Sequence, residues 1–79
     1  MRITFNPDLD IAYIYLREGE EEVTTISLSD DLHIDIAPDG GVYGIELLDA
    51  RQQLFGSDGG QLEYENEVSE ERVAVMLPH

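Results

Sequence analysis

"LHIDIAPDGGVYGIELLDA", residues 32 to 50, is the stretch that decides the fold. Its first part alternates cleanly, with Leu32, Ile34 and Ile36 on one side and His33 and Asp35 on the other, the period-two signature of a half-buried strand. "PDGG" then supplies the positive φ that a tight hairpin turn demands. "VYGIELL" returns antiparallel, with Tyr43, Ile45 and Leu47 on one face and Val42, Gly44, Glu46 and Leu48 on the other. Glu46 therefore lies near the middle of the returning strand, beside His33 or Asp35 according to register. A glutamate beside His33 is a favourable pair and one beside Asp35 a repulsive pair. Alternation alone leaves the two registers open.

Strands and turns continue on both sides of this hairpin. "RITF" alternates, and "NPDLD" breaks it with turn chemistry. "IAYIYLR" is β-branched and aromatic, with apolar residues on both faces, as in a strand covered on both sides or one whose second face meets another subunit. "EGEEE", residues 18 to 22, reads as a solvated turn, and "VTTISL" as a β segment that, through "SDD", forms with "LHIDIA" either one long strand interrupted by a bulge or two separate strands. "DARQQLF" reads as one or two helical turns, with Asp49 as the cap and Leu54 and Phe55 packing back on the sheet. Beyond the loop "GSDGG", the segments "QLEYEN" and "ERVAVMLP" read as further strands, the last stopped by Pro78. The expected architecture is one mainly β (β-rich α+β) domain over residues 1–79. It is an antiparallel meander of five or six strands with a short helical segment near 49–55.

Composition narrows the chemistry. A chain of 79 residues buries only about 60% of its unfolded surface, so its core is thin and calls for a staple. The absence of cysteine removes disulfides, zinc ribbons and a thiol nucleophile together. A partner subunit is the remaining economical staple, which predicts a homodimer. Tyr13, Tyr15, Ile14 and Leu16 of the doubly apolar strand, with Val73 and Val75 further along, are the expected interface. The longest apolar run, Ile11 to Leu16, is six residues, far short of the roughly 20 needed to span a bilayer. The expectation is a cytoplasmic protein that does not engage a membrane.

Eighteen acidic residues face four arginines, and there is no lysine, for a net charge of −14. Such a chain lacks the cations that displace counterions from DNA or RNA. An acidic binding patch gives no reason to exclude lysine from every other face. Replacement of lysine across the whole surface fits a molar-salt cytoplasm, where the Debye length shrinks to about 3 Å and self-repulsion is screened. Salt adaptation is therefore preferred over charge-based recruitment of a basic partner, and it weakens any functional use of the acidity.

Two stretches, "NPDLDIAYIYL" (6–16) and "LHIDIAPDGGVYGIELLDA" (32–50), resemble the family of small bacterial and archaeal proteins known as domain of unknown function 2283. Their order and spacing agree with the family's acidic turn, Asp-x-x-Tyr-Ile strand, Asp-Gly turn and Gly-Ile-Glu-hydrophobic-Leu-Asp-Ala ending. The resemblance covers roughly residues 1–55 and implies a compact antiparallel β domain with no accepted catalytic or binding residues. It also implies companionship with small, basic, toxin-like proteins.

Few constellations compete for a catalytic role. Asp8 and Asp10 form an Asp-x-Asp that lacks the remaining ligands of a calcium loop, and turn-forming side chains bonded to their own backbone explain them better. His33 and Asp35 share a strand face, with Glu46 as a candidate across from them, and three such groups can hold a transition metal. With two histidines in the chain, an exposed strand face is the better reading. No nucleophile elbow or phosphate loop is present. The leading expectation is a non-enzymatic interaction or regulatory module without a cofactor, antitoxin-like in binding a small basic protein. The alternative is a small metal-dependent or carboxylate-based enzyme around His33, Asp35 and Glu46.

Overall fold

The computed structural model describes every residue from Met1 to His79. Seven strands and one helix follow in the order β1 (Arg2–Asn6), β2 (Ile11–Tyr15), β3 (Thr24–Ser29), β4 (Leu32–Ile36), β5 (Val42–Leu48), α1 (Ala50–Phe55), β6 (Gln61–Glu65) and β7 (Arg72–Met76). The mainly β architecture and the short helix stand where the sequence places them. Strand order departs from a simple meander. The first five strands form one antiparallel sheet in the order β1-β2-β5-β4-β3, so β5 lies between β2 and β4. The last two strands make a separate hairpin, β6-β7, which brings the total to seven.

The hairpin of residues 32 to 48 closes as the turn residues require. The Ala37 amide donates to the Gly41 carbonyl at 2.8 Å, and Gly40 takes the left-handed conformation at φ 88°. Register pairs His33 with Glu46 and Asp35 with Gly44, which resolves the choice left open by alternation. A bulge then skips Tyr43, so that Ile36 faces Val42.

Because paired side chains in an antiparallel sheet share a face, the register writes out both surfaces. One row runs Ile3, Ile14, Ile45, Ile34, Ile26 across all five strands. On the opposite face the adjacent row runs Thr4, Tyr13, Glu46, His33, Ser27. The sheet thus has an aliphatic face and a polar face. α1 sits on the aliphatic side, where Phe55 meets Phe5 of β1 edge-on at 5.5 Å between ring centroids.

α1 starts without help from the residue expected to cap it. Asp49 adopts a left-handed φ of 51° and its side chain makes no capping bond. The cap comes from the β1–β2 turn instead: Asp10 Oδ1 accepts from the Arg51 amide at 2.9 Å, and the Asp10 carbonyl accepts from the Ala50 amide at 3.0 Å. Gln53 fastens the same end of the sheet by donating to the Asp31 carbonyl at 3.0 Å.

Covering the aliphatic face is where the fold falls short. Only five of the 79 residues are buried, namely Ala12, Ala37, Ala50 and two glycines, and no isoleucine of the cross-sheet row is among them. The accessible surface is 5775 Å². A folded monomer of 8.9 kDa exposes about 4,800 Å² on the usual size scaling. The radius of gyration is 14.0 Å, against about 12 Å for a compact chain of this length. Every residue of β6-β7 is exposed. No helix is long and apolar enough to cross a membrane.

Candidate functional site

The polar face of the sheet gathers most of the side chains that carry chemistry. Tyr13 on β2 lies across Gly44 on β5 and donates from its hydroxyl to Asp35 Oδ2 on β4 at 2.5 Å. Gly44 is what permits this, since a Cβ there would stand 2.6 Å from Tyr13 Cζ. Thr25 on the edge strand donates to the other Asp35 oxygen at 2.6 Å. Both carboxylate oxygens of Asp35 are thereby engaged. Burial first, and the Asp35 carboxylate second, push the Tyr13 phenol well above its ordinary pKa of 10.0. At neutral pH it is a firm donor.

His33 and Glu46 sit one row further along, with Nδ1 4.0 Å from Oε1. That spacing is the outer limit of an ion pair and is long for a hydrogen bond. No three His, Cys, Asp or Glu side chains converge in a metal-ligating group. Of the three residues expected to share a site, His33 and Glu46 are cross-strand neighbours. Asp35 is bound instead to Tyr13 and Thr25.

The tyrosines expected at an interface are packed within the chain. Tyr13 and Tyr15 are 4.5 Å apart between ring centroids, Tyr15 meets Tyr43 edge-on at 6.3 Å, and the Arg2 guanidinium lies 4.1 Å over the Tyr15 ring. Tyr43 donates to the Gly19 carbonyl, which pins the acidic β2–β3 loop. Ile14 points to the opposite, aliphatic face, so the doubly apolar strand presents its residues to two different surroundings. Leu16, Val73 and Val75 are exposed.

Arg17 sits at the far end of the sheet, 3.1 Å from Asp39 in the turn and 3.7 Å from Glu21. The Asp39 carboxyl is held below its usual range by the Gly41 amide (2.9 Å from Oδ1) and then by Arg17. Asp10 serves α1 and its Oδ1 also lies 3.6 Å from the Arg51 guanidinium, while Asn6 Oδ1 caps the turn by accepting from the Asp8 and Leu9 amides. Sequence reasoning missed the roles of Asp10 and Gly44. The one signal for Gly44 was a glycine inside an otherwise apolar strand, which marks close backbone approach.

An Asp-x-x-Tyr-Ile strand followed by a Gly-Ile-Glu strand, hydrogen-bonded as neighbours in one antiparallel sheet, is the core pattern of this polar face. The model of the family described as protein of unknown function (DUF2283) matches residues 2–51. This chain belongs to that family. The DUF2283 segment takes in all five strands of the sheet and the first helical residues, and leaves β6-β7 outside it. No curated protein and no solved structure matches the chain.

Proposed function

We propose that this DUF2283 protein is a non-enzymatic interaction module of a high-salt cytoplasm, working as a homodimer that sequesters a small basic protein. The observation that carries the reading is the row Ile3, Ile14, Ile45, Ile34, Ile26, which crosses the whole sheet with four members half-buried and Ile26 46% exposed. Apolar surface of that extent on a small domain is characteristic of association. The excess exposed area, roughly 1,000 Å² over a compact monomer, is close to the 800 Å² or so that each partner contributes to a stable interface.

The basic partner fits the edge strand β3. All six of its residues are exposed, and it lies between the acidic stretch Glu20, Glu21, Glu22 and the turn Asp30, Asp31. An incoming strand would add to the sheet through backbone bonds, with carboxylates at both ends to meet its cations. At molar salt charge does not steer beyond about 3 Å, so affinity rests on that pairing and on direct contact.

Sedimentation equilibrium in molar KCl tests the homodimer, with twice the 8.9 kDa chain mass expected. A monomer at micromolar concentration rejects it. Affinity capture from native lysate at native salt tests the partner. A basic protein in stoichiometric amount, lost when Glu20, Glu21 and Glu22 are all changed to Gln, is the expected result. Capture that survives this change, or contains nothing basic, rejects the sequestration role.

A further inference from the structure

The hairpin β6-β7 is amphipathic, and its apolar side has nothing to pack on within its own chain. Register places Leu62 opposite Val75 and Tyr64 opposite Val73, so these four side chains form one continuous apolar face. They are between 44% and 62% exposed. The reverse face carries Glu63 and Glu65 with Ala74 and the exposed Met76, and Arg72 lies 3.0 Å from Glu65 and 3.8 Å from Glu63. A hairpin with so clear an inner and an outer side is built to lie on something apolar.

Isolated two-stranded hairpins are marginal in water and need a third element against them. The hairpin is moored only at its root. Leu77 donates to the Gly60 carbonyl at 2.8 Å, Phe55 stacks on His79 at 4.3 Å, and Leu77 and Pro78 line a small apolar groove with Ile3, Phe5, Leu54 and Phe55. Beyond that root the hairpin forms a sheet of its own, packed little against the five-stranded one, and the radius of gyration is large for the chain length.

Two apolar faces in one chain, the half-buried isoleucine row of the sheet and the exposed side of the arm, satisfy each other when two copies meet. We propose that the β6-β7 arm of each subunit lies across the isoleucine row of the other, so that the dimer is an exchange of arms about a two-fold axis. The geometry is isologous, each copy giving the arm and receiving one. It buries the Leu62, Tyr64, Val73, Val75 face on Ile34 and Ile45 of the second copy and turns the acidic reverse face outward. The area argument favours a second copy as the occupant, because the excess surface per chain matches what one half of a stable dimer contributes.

This inference rests on the homodimer reading, and the test separates the two. Full-length chain is mixed as equal parts methyl-labelled with carbon-13 and unlabelled, at molar KCl, and isotope-filtered NOEs are recorded. Contacts from the Val73 and Val75 methyls to Ile34 and Ile45 methyls of the other copy are expected. If a dimer by sedimentation shows only isoleucine-to-isoleucine contacts between copies, or valine contacts only within one chain, arm exchange is overturned and the dimer stands. A monomer by sedimentation overturns both. As a second measure, the Val73→Ala/Val75→Ala variant should keep its far-ultraviolet circular dichroism and weaken the dimer about a hundredfold. An unchanged dimer Kd removes the arm from the interface.

Discussion

The Tyr13 hydroxyl reaches Asp35 over the back of Gly44, so a single 2.5 Å hydrogen bond ties β2 to β4 across the strand that separates them. Hydrogen bonds to a charged acceptor contribute about 1.5–3 kcal/mol when sheltered, and the partial exposure here lowers that. Tyr13→Phe should cost about 1–2 kcal/mol in urea unfolding at pH 8. Loss below 0.3 kcal/mol would mean the bond is not made in solution.

The same pair sets an alkaline limit. The folded phenol is raised above the ordinary value of 10.0, by burial and then by Asp35. Below pH 10 both folded and unfolded Tyr13 are protonated and the contribution is fully present. Above it the unfolded phenol ionises first, so stability should fall with rising pH until the folded phenol also ionises. Unfolding free energies measured from pH 8 to 11 check this. The decline above pH 10 should be shallower in Tyr13→Phe, and equal slopes would remove Tyr13 as its source.

Gly44→Ala forces a Cβ into the space Tyr13 occupies. Overpacking of this kind costs about 1–3 kcal/mol. In a Tyr13→Ala background the ring is gone, and the same change should cost less than about 0.5 kcal/mol. A double-mutant cycle without coupling would show that the ring does not lie over Gly44.

What could be read from the chain, and what could not, follows the reach of each interaction. Alternation in "LHIDIA" and "VYGIELL", with Asp39 and Gly40 between them, specifies a local hairpin, and the helix from Ala50 follows from composition over a few residues. The placing of β5 beside β2 depends on pairings such as Tyr15 with Gly44, distant in the chain, to which a period of two is blind. The reach of Tyr13 to Asp35 and the capping of α1 by Asp10 are of the same non-local kind. The contacts of Tyr13 over Gly44 and of Tyr15 under Arg2 are likewise non-local, and no alternation in either strand announces them.

Helix capping offers a sharp contrast between two aspartates. Asp10→Ala removes the acceptor of the Arg51 amide and should cost about 1 kcal/mol. Asp49→Gly relieves a left-handed backbone at φ 51° and removes no capping bond, so it should be neutral or stabilising. Thermal unfolding of the two variants decides the matter, and the reverse ranking would return the cap to Asp49.

A net charge of −14 on 79 residues makes the folded state repel itself. Urea midpoints in 0.1 M and 2 M KCl should differ, the higher salt giving the more stable protein, because the Debye length at 2 M is under about 3 Å and repulsion between carboxylates farther apart is screened. A midpoint that does not rise with KCl would reject salt adaptation.

The insertion of β5 between β2 and β4 also shapes the route by which the sheet is reached. The β1-β2 pair and the β3-β4-β5 run can each zip from neighbouring residues, whereas joining them means closing the long connection between Tyr15 and Gly44. Loop closure of that kind slows folding. Ile14 and Ile45 meet at this seam, so trimming Ile45 to Val should retard refolding in stopped-flow more than it hastens unfolding.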